Sequence, residues 1–551
     1  MKTRNRLALV LIFPVTLASI RCSPKKDTAE ITKAEVIQST SYENLVSLFK
    51  EWREFQKPKI IGGVPDYTAA VLKEQRSGLE KLKSRLAAID CSAWPISQRV
   101  DYQLVRAEMN GLEFDHRVIR PWSRDPCFYA VVAKGKADLF NEGPDEYGLL
   151  RIIKMPLDKK DVAEFQMKLR AIPKILEQAK GNLVEEAKDL WFMGIRLKKR
   201  ESGILADLLK PLAQHHPDLV ADAEQAKTSV DEFAGWLEKK QRTMTAPSGI
   251  GIENYNWYMK NVHLVPYTWE EQVVIVQREL ERALASLKLE ENRNRKLPKL
   301  EPVGSDEEHR RRFFKAADYI MEFYRKEEIF SVDEDMHVGL DIGPFVPPTS
   351  VRDFFTEIEY RDSLPMRCHG THTLDDIREE RDQSVRPIRG LPPLLYNIWA
   401  FRGEGLACGN EEMMMNLGLF DKSSPRVREL IYILLAHRAA RAMADLKLHG
   451  NKFALEDAVK YAVDLTPRGW LPNEDGTWRE MQFYLQQPGY GASYVVGKVQ
   501  IDKLLADWSH QLGEKFILKQ FMDEFYAAGM IPIALTRWEM TGLEDEIKKL
   551  W

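Results

Sequence analysis

Apolar residues recur at three- and four-residue spacing over 64–88, 98–118, 159–180, 218–240, 269–288, 308–328, 392–416, 425–448 and 492–527. That is the period of helices that bury one face, and the alternation of a half-buried strand is scarce. The pattern predicts a mainly α chain, a large multi-helix architecture with little or no β-sheet. Local punctuation agrees. Thr268 with Glu271 spells a capping box, Ser305 with Glu308 repeats it, and Pro217 after His215 and His216 suits a first helical turn. The histidine pair then reads as a solvated loop. The stretch TAPSGIGIENY at 245–255 breaks the periodicity and is the best internal boundary. It separates an N-terminal helical region, 43–245, from a C-terminal one, 246–551, that carries the candidate chemistry and packs with the first as one unit. A second irregular stretch, VGLDIGPFVPPTS at 338–350, has prolines that forbid continuous helix. There a short strand is expected at the edge of the site.

The N-terminus follows another logic. Lys2, Arg4 and Arg6 precede an apolar run from Leu7 to Ile20, then Cys22 and a charged stretch from Lys25. Residues 1–22 read as a secretory signal and 23–42 as a flexible tether, because the run falls short of the roughly 20 apolar residues a bilayer span needs. The expectation is an exported protein of the periplasm or cell envelope. Cys22 is either the lipid-carrying cysteine of a lipoprotein or lies beside a simple cleavage site, since Ile20 and Arg21 stand where a lipoprotein signal has small residues. A lipid there would be the sole membrane link.

Composition narrows the partners. Eighty basic and eighty-three acidic side chains leave a net charge of -3, so no global field recruits nucleic acid or an anionic membrane. Any specificity must therefore be local. Cys91, Cys127, Cys368 and Cys408 could form two disulfides in an oxidising compartment.

Candidate chemistry concentrates in RCHGTHTLDDIREERD, 367–382. If the stretch is helical from Cys368, then His369, His372 and Asp376 share an arc of about 60°, and Asp375 points away. Two imidazoles one turn apart suit a borderline metal such as zinc, with Asp376 orienting an imidazole or completing the shell. A third ligand has to come from another element. In NIWAFRGEGLACGNEEMMM, 397–415, Glu404, Cys408 and Glu411 share a helical face, so Glu404 is the expected ligand and Glu411 or Asp376 the base. In AHRAARAMADLKLHG, 436–450, Arg438, Arg441, Asp445 and His449 form one polar stripe. Arg438 or Arg441 could grip a substrate carboxylate, with His449 beside them, and Tyr494 could donate to a developing oxyanion. Structural readings stand alongside: a solvated histidine pair, a salt-bridged exposed arginine face, and Met413, Met414 and Met415 filling core gaps. Cys368 and Cys408 flank the two ligand motifs, either paired with each other or joining the metal shell.

The blocks NYNWYMKN at 254–261, EGLACGNEE at 404–412, RAARAMADLKLH at 438–449, QPGYGASYVVGK at 487–498 and FMDEFYAAGMIPIALTRWEM at 521–540 follow in a fixed order. In that order the chain resembles a bacterial family of exported or membrane-attached helical proteins, domain of unknown function eight-eight-five. Many of its members look like zinc metallopeptidases, with a motif HEGxPGHH and, about thirty residues later, EGWAxYxE. The second motif falls on Glu404, Gly405, Leu406, Ala407 and Glu411, with Leu406 in place of Trp and Gly409 in place of Tyr. The first is altered: His369 and His372 stand in its neighbourhood at shortened spacing, without its glutamate.

The resemblance implies a zincin-like architecture and an exported, Zn2+-dependent hydrolase acting on peptide or related amide bonds. His369, His372 and Glu404 would hold the ion and Glu411 would be the base by elimination. The altered motif leaves a second expectation open, a non-catalytic envelope protein that binds a peptide or glycan in the inherited cleft.

Overall fold

Side-chain period decides most of the architecture. In a computed structural model that describes residues 41–134, 148–152, 154–382, 386–390 and 393–551, most predicted segments are helices, including Ala69–Ala87, Ile96–Phe114, Val162–Asn182 and Val220–Gln241. The predicted signal, Cys22 and the tether up to residue 40 lie outside the described residues. Strand is confined, among those residues, to two small ladders. Ile60–Ile61 pairs antiparallel with Val64–Pro65, and Val132–Lys134 runs parallel to Leu150–Ile152. No strand forms at 338–350.

Six helices build the region of interest: α1 (Trp269–Arg293), α2 (Leu364–Cys368), α3 (Thr371–Asp382), α4 (Ala400–Asn416), α5 (Val427–His449) and α6 (Tyr490–Leu512). Before α1 the predicted box is complete, the Thr268 hydroxyl accepting from Glu271 N and the Glu271 carboxylate from Thr268 N. Ser305 makes only the first half, accepting from Glu308 N at 3.3 Å. The predicted 492–527 segment is two helices, because Gly513 (φ 54°) ends α6 and a new helix, Leu518–Ala527, follows. Helix Lys188–His215 was not among the periodic segments. Lys198 and Glu201 sit on its buried side as a fully enclosed ion pair, 2.7 Å apart, so two charges interrupt the apolar stripe.

Ser39–Trp551 forms one compact unit, and TAPSGIGIENY is a connection inside it. Ser248 Oγ accepts from Asp189 N and Leu190 N at the start of the 188–215 helix, and Gly251 N donates to His449 O at the end of α5. Two buried apolar clusters meet at α4, which gives Phe401 and Cys408 to one and Leu406 and Met414 to the other. The methionines do fill core: Met414 and Met415 are at most 2 % exposed.

Helices α4 and α6 approach until their backbones touch. A Cβ on Gly405 would stand 2.5 Å from the carbonyl carbon of Gly497, and one on Gly497 would collide with the Phe401 carbonyl oxygen. Backbone cannot yield as a flexible side chain can, so Gly497→Ala should cost near the top of the roughly 1–3 kcal/mol of overpacking. It should also shift α6, which carries Tyr490 and Tyr494. A urea midpoint equal to that of the parent protein would contradict this.

Candidate metal centre

RCHGTHTLDDIREERD does not fold as one helix. Pro365 opens α2, α2 ends at Cys368, and His369 and Gly370 lie between it and α3. Glycine is needed at 370 because a Cβ there would come within 2.7 Å of Val338 Cβ. The predicted helical arc is therefore absent, yet the two imidazoles still meet, with ring centroids 5.1 Å apart. Glu404, 1 % exposed on α4, faces both. Its Oε2 lies 3.9 Å from His369 Nε2 and 3.5 Å from His372 Nε2.

Donor atoms of these three residues all lie within 4.8 Å of one another. Neighbouring donors around a tetrahedral ion with bonds of about 2.1 Å stand roughly 3.4 Å apart, so the spacing suits one cation. The hydrogen-bond inventory points the same way. His372 Nε2 and Glu404 Oε2 are buried with no closer polar contact than their mutual 3.5 Å approach, which a shared proton or a bound cation would satisfy. The other carboxylate oxygen, Glu404 Oε1, accepts from the Tyr490 hydroxyl at 2.6 Å. Burial alone would raise the Glu404 carboxyl, but His372, His369 and Tyr490 hold it down to about 2. Burial likewise opposes charge on His372, and the Glu404 carboxylate overcomes it and raises the imidazole above its ordinary value. His369 is lowered, chiefly by burial.

A second layer stands behind His369. Glu411 and Arg438, both at most 2 % exposed, form a two-pronged pair with Nη1–Oε2 2.5 Å and Nη2–Oε1 2.7 Å. His369 Nδ1 sits 3.3 Å from Glu411 Oε1 and 3.1 Å from Arg438 Nη2. When Nδ1–H donates a hydrogen bond to Glu411, the Nε2 lone pair is free on the Glu404 side, and Arg438 acts on the ring by holding Glu411. This geometry corrects two expectations. Glu411 is a locked partner of an arginine and an imidazole instead of an available base, and Arg438 is already engaged instead of open to a substrate carboxylate.

The rest of the polar stripe is buried too, and each member is matched from another helix. Arg441 pairs with Glu480, and its guanidinium lies over Tyr494 at 5.1 Å and Phe355 at 5.7 Å. Asp445 accepts from Ala492 N at 2.9 Å and Gly489 N at 3.4 Å, which seats the start of α6 and hence Tyr490, while burial pushes its carboxyl up to about 7. His449 does not join the site. Its Nε2 is bonded to Tyr484 O at 2.9 Å, and burial pushes the imidazole down to about 4. Asp375 and Asp376 both depart from their expected places, although Asp376 keeps its one-turn spacing from His372 within α3. Asp375 is buried and pairs with Arg402, whereas Asp376 is exposed and outside the three-donor group.

Tyr494 is nearly buried one turn beyond Tyr490, on the same face of α6. Tyr490 is the contact that sequence reasoning missed, although QPGYGASY places both tyrosines four apart. Cys91, Cys127, Cys368 and Cys408 are all unpaired, and no thiol joins the three-donor group. His216 accepts from Leu157 N at 2.9 Å, a structural contact.

No curated protein matches this sequence. Solved structures do resemble it. A candidate lipoprotein of unknown function from Shewanella oneidensis has a TM-score of 0.66 at 15% identity, over 91% of this chain and 100% of that one. A candidate lipoprotein from Colwellia psychrerythraea gives 0.64 at 16%, over 91% and 99%. Among the described residues no helix is long and apolar enough to cross a membrane. Residues 388–540, which hold α4, α5 and α6 but neither histidine of the site, match the sequence model of the family described as "Bacterial protein of unknown function (DUF885)", the family that the order of motifs resembles.

Proposed function

We propose that this protein is an envelope-associated, metal-dependent hydrolase with a zincin-like site, acting on peptide or related amide bonds. The observation that supports the reading best is the convergence of His369, His372 and Glu404, with two donor atoms buried 3.5 Å from each other. A zinc ion held there would supply Lewis acidity toward a substrate carbonyl. Glu411 and Arg438 orient His369, and Tyr490 orients Glu404. With Glu411 locked, Asp376 on the exposed side of α3, one turn past His372, takes the proton from water. Tyr494 donates to the oxyanion. The envelope location rests on the lipoprotein descriptions of the two fold neighbours, with a lipid on Cys22 as the membrane link.

A second reading, a non-catalytic cleft that binds a peptide or glycan, is favoured by one fact: the carboxylate expected as base is held by Arg438. Hydrolysis of a mixed peptide library, followed by mass spectrometry on protein purified without chelator or affinity nickel, separates the two. The hydrolase gives new termini that chelator suppresses and Glu404→Ala abolishes. Absence of cleavage, with ligand-induced thermal stabilisation that survives both treatments, supports the binding protein.

A further inference from the structure

His369 caps α2, its N–H bonded to Met366 O at 3.2 Å, and His372 belongs to α3, so the two imidazoles ride on separate helices and their spacing depends on what holds those helices together. Two buried contacts bracket the 369–372 segment, and both come from α4. On one side the Asn410 amide, fully buried, donates from Nδ2 to the Cys368 carbonyl at 2.8 Å and to the Tyr324 hydroxyl at 2.8 Å. Cys368 is the residue before His369. On the other side Arg402, fully buried and stacked near Phe525 and Tyr526, donates from Nη1 to the Asp375 carboxylate, three residues after His372. The same helix carries the ligand Glu404 between these two residues and Glu411 beside Asn410.

We infer that Asn410 and the Arg402–Asp375 pair are positioning residues, which clamp the chain on either side of the two histidines and so set the donor geometry for the cation. This rests on the metal reading above. The clamp explains how a shortened His-x-x-His can meet Glu404: α4 holds its own ligand and the two others in one frame, and a shift of either clamp moves an imidazole relative to Oε2. Supporting contacts of this kind typically change metal affinity about 10–100-fold when lost.

The test is zinc affinity, measured on the full folded chain by competition with a chromogenic chelator, with thermal unfolding of the metal-free protein beside it. Asn410→Leu and Asp375→Asn should each bind Zn2+ roughly 10–100-fold more weakly than the parent chain. Arg402→Met should do the same, and Arg402→Lys, which keeps a cation for Asp375, should recover most of the loss. Glu429→Gln breaks a buried pair with Arg426 away from the site and is the control for lost stability. It should lower the unfolding temperature and leave zinc affinity unchanged. The clamp is overturned if the parent chain binds zinc and either Asn410→Leu or Asp375→Asn binds it equally well, or if Glu429→Gln loses as much affinity as they do. A parent chain that binds no zinc overturns the metal reading itself, and the clamp with it.

Discussion

His372→Ala should take the zinc content of the purified protein from about one ion per chain to none, because one of three proposed ligands would be gone and His369 Nε2 and Glu404 Oε2, 3.9 Å apart, cannot enclose the ion between them. The loss has a thermal counterpart. An ion present at a thousand times its dissociation constant stabilises the fold by about 4.1 kcal/mol, so chelator should lower the unfolding temperature of the parent chain and leave that of His372→Ala unmoved. Acid should mimic chelator. His372 is raised above its ordinary 6.5, so a proton competes for Nε2 as pH falls through that region, while Glu404, held at about 2, stays charged. Zinc content should therefore fall with acid and return with base. In the metal-free chain the signs differ. The raised histidine contributes stability below pH 6.5 that is lost as pH rises through its folded value, and the depressed carboxyl contributes stability above 4.5 that is lost as pH falls toward 2. Their pair is thus worth most between those two limits. Elemental analysis that finds no metal in either the parent chain or the variant would sink the metal reading.

The helices were legible because burying one face is written in the period, and it is readable wherever the buried side is apolar. It fails at Lys188–His215, where Lys198 and Glu201 neutralise each other inside the fold, since no spacing rule announces that a charge has an enclosed partner. The same blindness governs the site. Arg438, Arg441, Asp445 and His449 look from sequence like a face turned toward substrate, yet each is matched from another helix, by Glu411, Glu480, the start of α6 and the Tyr484 carbonyl. His369 and His372 meet across the break at Gly370 instead of on the helical arc that the sequence suggests, and Glu404 faces them from α4. Asp376 keeps its spacing from His372 within α3 yet is exposed, whereas Asp375 is buried against Arg402, a cation on α4 that no spacing inside 367–382 announces. Tyr490 needed the knowledge that Asp445 seats the first turn of α6, which only a folded chain provides.

The second large effect comes from the pair behind His369. Arg438→Met leaves the Glu411 carboxylate 2 % exposed with no cation beside it, and removing one partner of a buried pair costs about 3–5 kcal/mol. Replacing both partners with apolar side chains of similar size is often neutral, so Arg438→Met combined with Glu411→Leu should regain most of the stability in metal-free protein. Zinc affinity should not return with it. With both side chains gone, nothing accepts the His369 Nδ1 proton and the imidazole is free to turn, so the double variant should bind zinc roughly 10–100-fold more weakly. Stability and affinity are thereby separated: the single variant loses both, the double variant only the second. Urea midpoints for the three metal-free chains, set beside their zinc dissociation constants, decide the matter. Full zinc affinity in the double variant would leave Glu411 and Arg438 as a purely structural pair, because a group that orients a ligand cannot be removed without the ion sensing it.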